Sequence, residues 1–288
     1  MTEACFCAAI PESRPYRGGV IVEFTKMNGA GNDFVLLDNR DGRLRLEQAR
    51  VARICDRHRG VGADGLIALI PSRSGLADWA WEFFNSDGST AEMCGNGARC
   101  FARFVQKLTG AKDRITFETL AGVISASFTG DRVTVGLTRP RDLRLDQTLE
   151  VGDQPMIVHA LDTGVPHAVV FVDDADRAMV QAWGAVLRFH PHFAPRGTNV
   201  NFVQVLRPGA IRVRTYERGV EGETLACGTG VTASALIAAR VHDFNPPVSV
   251  RVQGGDTLEV AFVRAGDAFD HVRLTGPADF TFEGRLEF

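Results

Sequence analysis

The chain has 288 residues and carries 32 Lys and Arg against 35 Asp and Glu, a net charge of −3. That balance leaves no basic excess for nucleic-acid phosphates, and no apolar run approaches the ~20 residues of a membrane helix. A hydrophobic content of 45% supports a real core, and the length fits about two domains. Six cysteines are too sparse for a disulfide scaffold, which points to reduced thiols in a cytoplasmic protein.

Residues 1–19 lack periodicity and have no positive stretch before their short apolar segment. They read as a disordered extension, not a secretory signal. Cys5 and Cys7 have no neighbouring ligands, so no metal site is expected there or elsewhere. From Val20, VIVEFTKM reads as a first strand. A glycine turn, a helix over Leu46–His58 and strands over Leu66–Pro71 and Trp79–Asn85 follow. The segment Cys94–Gly97 (CGNG) then leads into an apolar helix over Ala98–Leu108, and ITFETLAGVISASF and RVTVGL read as closing strands.

The same order returns further along. Gly29–Asp38 resembles Gly164–Asp173, and Gly62–Ile70 resembles Gly197–Val205, each 135 residues apart; Cys94–Gly97 resembles Cys227–Gly230, 133 apart. The second series has a helix over Ala175–Val186, strands over Asn201–Leu206 and Ile211–Glu217, and an apolar helix over Val231–Val241. VSVRV, LEVAFV and HVRLTG close it. The fold class is therefore α+β. Two homologous domains are expected, each a mostly antiparallel sheet or barrel wrapped around a central helix, related by pseudo-two-fold symmetry. The expected halves are 20–140 and 141–274, with 275–288 returning as a strand to the first half. Central helices this apolar are buried helices.

Each CGxG segment sits where a strand gives way to a buried helix. Free backbone N–H groups and the helix dipole there hold a carboxylate and lower a cysteine's pKa from ~8.5. A single CGxG reads equally as a tight turn around a small buried thiol; two at equivalent positions favour a site. Neither is followed by Lys-Ser or Lys-Thr, so a P-loop is not supported. Two facing halves place two thiols on opposite faces of one ligand, the arrangement for inverting a stereocentre. No cofactor is required, and Lys26, Lys107 and Lys112 lie in no pocket motif that marks a Schiff-base lysine. Cys55 and Cys100 read as core residues.

Five ordered blocks resemble the diaminopimelate epimerase family: KMNGAGNDFVLLD (Lys26–Asp38), FFNSDGSTAEMCGNGAR (Phe83–Arg99), GVPHAVVF (Gly164–Phe171), RGTNVNFV (Arg196–Val203) and YERGVEGETLACGTG (Tyr216–Gly230). The resemblance implies cofactor-independent epimerisation of LL- to meso-diaminopimelate, in lysine and peptidoglycan precursor synthesis. It implies Cys94 and Cys227 as the two catalytic acid/base thiols, with Glu217 and His167 beside them. Asn32, Asn85 and Asn199 match substrate-binding residues, and Arg218 matches the group holding the distal carboxylate. Gly95, Asn96, Gly228 and Thr229 match backbone donors to the reacting carboxylate. Val165 stands where many members have Asn, and Gly65 where some have Gln, which implies lost polar contacts to substrate. The expected partner is a small amino-acid substrate, with neither nucleic acid nor membrane; a homodimer stays open. The rival readings are another amino-acid racemase of this fold, a non-catalytic binding protein and a thiol-redox sensor.

Overall fold

A computed structural model describes residues 21–287. The expected extension at 1–19, with Cys5 and Cys7, lies outside the described residues.

The first half runs β1 (Ile21–Gly29), β2 (Asn32–Asp38), α1 (Gln48–Cys55), β3 (Gly65–Pro71), β4 (Trp79–Asn85), α2 (Gly95–Thr109), β5 (Arg114–Thr119), β6 (Gly122–Thr129) and β7 (Arg132–Gly136). The second runs β8 (Arg141–Val151), β9 (Gln154–Asp162), β10 (Pro166–Phe171), α3 (Val180–Arg188), β11 (Asn199–Arg207), β12 (Ala210–Glu217), β13 (Gly222–Thr224), α4 (Gly228–His242), β14 (Val248–Arg251), β15 (Thr257–Ala265), β16 (Ala268–Pro277) and β17 (Asp279–Glu287).

The duplication is visible in strand pairing. From β1 to β7 successive pairings are antiparallel, parallel, antiparallel, parallel, antiparallel, antiparallel. The series β9, β10, β11, β12, β14, β15, β16 repeats that order. Each parallel step needs a crossover, and a helix supplies it: α1 and α2 in the first half, α3 and α4 in the second. The two sheets join through antiparallel β7 and β16. The C-terminal β17 lies antiparallel on β1, as β8 does on β9. The β8–β9 hairpin was not among the expected strands. Leu143, Leu145, Leu149 and Val151 alternate with exposed polar residues along β8, but irregularities at Asp142 and Asp146, both at positive φ, break its register with β9.

Each half wraps its sheet around one central helix. Helix α4 is buried at Gly228 and from Gly230 to Ala239, because Ala, Ser, Leu and Ile present no large polar group on any side. Helix α2 buries every residue from Gly95 to Ala102. Both belong to one continuous apolar core; in it Trp81, Phe101 and Phe117 pack edge to face or tilted, with the Phe101 and Phe117 centroids 4.7 Å apart. Smaller clusters under α1 and α3 close the outer faces. The expected helix over Ala175–Val186 divides into a 3-10 turn at Ala175–Arg177 and α3. Extended backbone at Ala178 separates them, while the Asp174 side chain caps the short turn.

Candidate active site

Both central helices begin three residues earlier than their apolar pattern predicts. The CGxG glycines form the first helical turn, and Cys94 and Cys227 are the N-cap residues, with extended backbone at φ −142° and −116°. The helix tips meet at the seam between the halves. A Cβ on Gly228 would lie 3.4 Å from Gly95 Cα and 3.2 Å from Asn96 Oδ1. This close approach is why glycine stands first in both helices.

A single cleft of about 860 Å³ lies over these tips. Cys94, Gly95, Cys227, Gly228 and Thr229 line its floor, and Asn32, Asn85, Asn199, Glu217 and Arg218 line its walls. Ten sequence-predicted positions thus converge on one cavity. Two others do not line it: Asn96 and His167.

The thiols differ from expectation in one respect. The helix N-terminus was expected to lower their pKa values, yet burial pushes both Cys94 and Cys227 up, and the Glu217 carboxylate pushes the same way. Desolvation of a thiolate outweighs the backbone donors that favour it. Gly97 N–H donates to Cys94 Sγ at 3.4 Å, and Cys227 Sγ lies 3.5 Å from Thr229 Oγ1. Glu217 shares the cleft with both thiols. Burial raises Glu217 itself, and Thr224 Oγ1 donates to its Oε2 at 2.9 Å.

Two guanidinium groups reach the cleft with different freedom. Arg57 is spent on a bidentate pair with Asp33 and a contact to Asp64 Oδ1 at 2.8 Å. Arg218 forms no ion pair among the described residues; its Nη1 meets only the Arg196 carbonyl at 3.3 Å. Such a fork is free to take a carboxylate. The backbone of Arg218 is fixed by Asn199, whose Oδ1 accepts its N–H at 2.9 Å and whose Nδ2 donates to the Pro166 carbonyl at 3.0 Å. Asn199 therefore ties the Arg218 turn to the β9–β10 turn. Asn32 donates to Asp64 Oδ2 at 3.0 Å, which orients its amide at the cleft wall.

His167 packs behind the first turn of α4, with Cε1 3.3 Å from where a Cβ on Gly230 would lie. Burial, with a smaller contribution from the Arg218 charge, drives its pKa down to about 3, so it is neutral. Its Nδ1 lies 3.2 Å from Asn201 Nδ2. That amide can only donate, so Nδ1 accepts and the ring proton sits on Nε2. Val165 lines the cleft. Gly65 does not, and a side chain there has no room: its Cβ would lie 2.6 Å from the Phe84 carbonyl oxygen. Cys100 is buried in the continuous core and Cys55 in the smaller cluster under α1.

Sequence reasoning missed Arg99, Asp64, Arg57 and Asn201. The available signal was a pair of arginines, Arg99 and Arg103, in the apolar run ARCFARFV; they read as one solvated edge until Arg99 is seen to be enclosed. No cluster of His, Cys, Asp or Glu among the described residues could hold a metal ion, and no described helix is long and apolar enough to cross a membrane.

A family model for diaminopimelate epimerase matches residues 24–141 and 159–281, one block in each half. The chain belongs to the diaminopimelate epimerase family. It is similar to the diaminopimelate epimerase of Aquifex aeolicus, with 45% identity over 276 residues, covering 92% of this chain and 98% of that one. The diaminopimelate epimerase of Hydrogenobaculum sp. is 41% identical over 276 residues, with the same coverage. Among solved structures, a hydroxyproline epimerase from Agrobacterium vitis superposes with a TM-score of 0.72 at 16% identity, covering 96% of this chain and 94% of that one. A PhzF-family protein from Bacillus anthracis does so with a TM-score of 0.69 at 16% identity, covering 93% and 100%. These last two share the fold.

Proposed function

We propose that the protein epimerises LL-diaminopimelate to meso-diaminopimelate without a cofactor, moving a proton at one α-carbon between Cys94 and Cys227. The observation that carries this reading is the meeting of two cysteine-capped helix tips over one cleft. One thiolate takes the Cα proton and becomes a thiol. The Cα–H electron pair passes into the carboxylate, giving a planar intermediate. The opposite thiol then gives its proton to the other face and becomes the thiolate. The reacting carboxylate rests on the backbone N–H groups of Gly95, Gly228 and Thr229, which line the cleft and favour the developing negative charge. Glu217 exchanges a proton with the adjacent thiol. Arg218 takes the distal carboxylate, and Asn32 and Asn85 orient the substrate from the first half. Asn199 acts through the Arg218 turn, and neutral His167 supports the first turn of α4.

The test is incubation with LL-diaminopimelate in D2O, without pyridoxal phosphate, followed by chiral analysis and NMR. The expected product is a mixture of LL and meso forms, with deuterium at each inverted centre. Neither inversion nor exchange would sink the reading.

The raised thiols also set a pH profile. A base must be deprotonated, and kcat/KM reports the free enzyme. While the thiol pKa lies above the ambient pH, the thiolate fraction grows about tenfold per pH unit. The profile of kcat/KM is therefore expected to climb through neutrality and beyond ~8.5, the ordinary thiol value. A plateau already reached on the acid side of neutrality contradicts it.

A further inference from the structure

Arg99 is fully buried in α2 and has no carboxylate partner among the described residues. Burial draws its pKa down only to about 10, so the guanidinium is charged at neutral pH. Enclosing an ion without a counter-ion is costly. A methionine or leucine would fill similar space without that cost, so the charge has to be explained by what it holds.

It holds the seam. Nε donates to the Pro277 carbonyl at 3.1 Å, at the end of the strand that joins the two sheets. Nη1 donates to the Gly95 carbonyl at 3.2 Å, and Nη2 to the Gly29 carbonyl at 3.3 Å. Nη2 also donates to Asn96 Oδ1 at 2.9 Å. The last contact fixes which end of the Asn96 amide carries its hydrogens. Asn96 Nδ2 then donates to Asn32 Oδ1 at 2.6 Å and to the Ala226 carbonyl at 3.2 Å. Asn32 is a cleft residue of the first half, and Ala226 immediately precedes Cys227 of the second. One buried chain of hydrogen bonds therefore runs from Arg99 through Asn96 to both sides of the cleft.

We propose that Arg99 and Asn96 form a positioning strut that sets the spacing of the Cys94 and Cys227 thiols across the seam between the halves. The proposal rests on the epimerase reading for its consequence in turnover. Neither side chain contacts the reacting atoms; both act by holding the groups that do. Because inversion needs two thiols at once, loosening the strut damages inversion more than one-sided proton exchange.

Asn96→Asp is the informative variant. A carboxylate still accepts from Arg99 but cannot donate to Asn32 or to the Ala226 carbonyl. We expect inversion to fall by about 10²-fold, the order a displacement of ~1 Å can cause, with a smaller change in KM. The ratio of Cα exchange with retention to inversion should rise. A second readout needs no turnover: the rate at which Cys94 and Cys227 close into a disulfide under a mild thiol oxidant. It should drop by about tenfold or more in Asn96→Asp, the order expected for losing these two hydrogen bonds. Arg99→Lys, which keeps the charge without the fork, should fall between wild type and Asn96→Asp in both measurements. Wild-type turnover, exchange ratio and closure rate in a folded Asn96→Asp would overturn the strut. A wild-type protein that fails to epimerise diaminopimelate instead overturns the functional reading, and the closure rates alone then decide the strut.

Discussion

Replacing either Cys94 or Cys227 by alanine is expected to lower epimerisation by at least about 10³-fold, within the range for removing a general acid or base. The loss follows from geometry. The two N-caps approach one cleft from opposite halves, so in the proposed mechanism each thiol serves one face of the substrate. The surviving thiol still faces one hydrogen, however. Each single variant should therefore exchange the Cα proton of one stereoisomer in D2O and leave the other untouched, with the preference reversed between the two variants. That crossover separates a two-base mechanism from one in which a single thiol shuttles the proton. A variant retaining near-normal turnover removes its cysteine from the mechanism. Equal exchange of both stereoisomers by one variant would show that its remaining thiol reaches both faces.

The parts of this molecule readable from sequence are those that repeat. The strand and helix order of each half was legible because alternating Val, Ile and Phe runs and two apolar helices return at nearly constant spacing. Cys94 and Cys227 were legible for the same reason, since they alone among the cysteines occupy equivalent places. The starts of α2 and α4 were not, because glycine weakens helix propensity and the first turn is held by packing between the two tips. The thiol electrostatics were also hidden. Sequence places a cysteine at a helix N-terminus, but only the assembled seam shows how far burial and Glu217 oppose the dipole. The role of Arg99 was not legible. A charge in an apolar helix is ordinarily solvated, and its acceptors, Gly29, Gly95, Asn96 and Pro277, span most of the chain. No local pattern encodes such a set. Gly65 is the reverse case. A family comparison makes it look like a lost substrate contact, whereas the Phe84 carbonyl leaves no space for any side chain.

The second large expected effect concerns Arg218. Arg218 lines the cleft with no ion pair among the described residues, while Arg57, which also lines it, is paired with Asp33 and Asp64. The proposed distal carboxylate is therefore expected at Arg218. Arg218→Met removes a charge-assisted, fork-shaped contact of about 1.5–3 kcal/mol, which corresponds to about 10–100-fold in kcat/KM. Part of the loss should appear in kcat, because binding energy at the distal end positions the reacting centre over the thiols. Arg218→Lys should recover only part of it, since an ammonium cannot pair bidentately.

A substrate lacking the distal carboxylate makes the assignment strict. Lysine has the reacting amino-acid end and the distal amine but no second carboxylate. Wild type should therefore turn it over poorly, by roughly the factor that Arg218→Met loses on diaminopimelate, since both changes delete one contact from opposite sides. The two losses should not add: Arg218→Met and wild type should perform similarly on lysine, because the partner of the deleted group is already missing. If Arg218→Met instead loses as much on lysine as on diaminopimelate, Arg218 shapes the turn and not the contact. In that case Asn199, which anchors the Arg218 N–H and the Pro166 carbonyl, is the next group to examine by the same cycle.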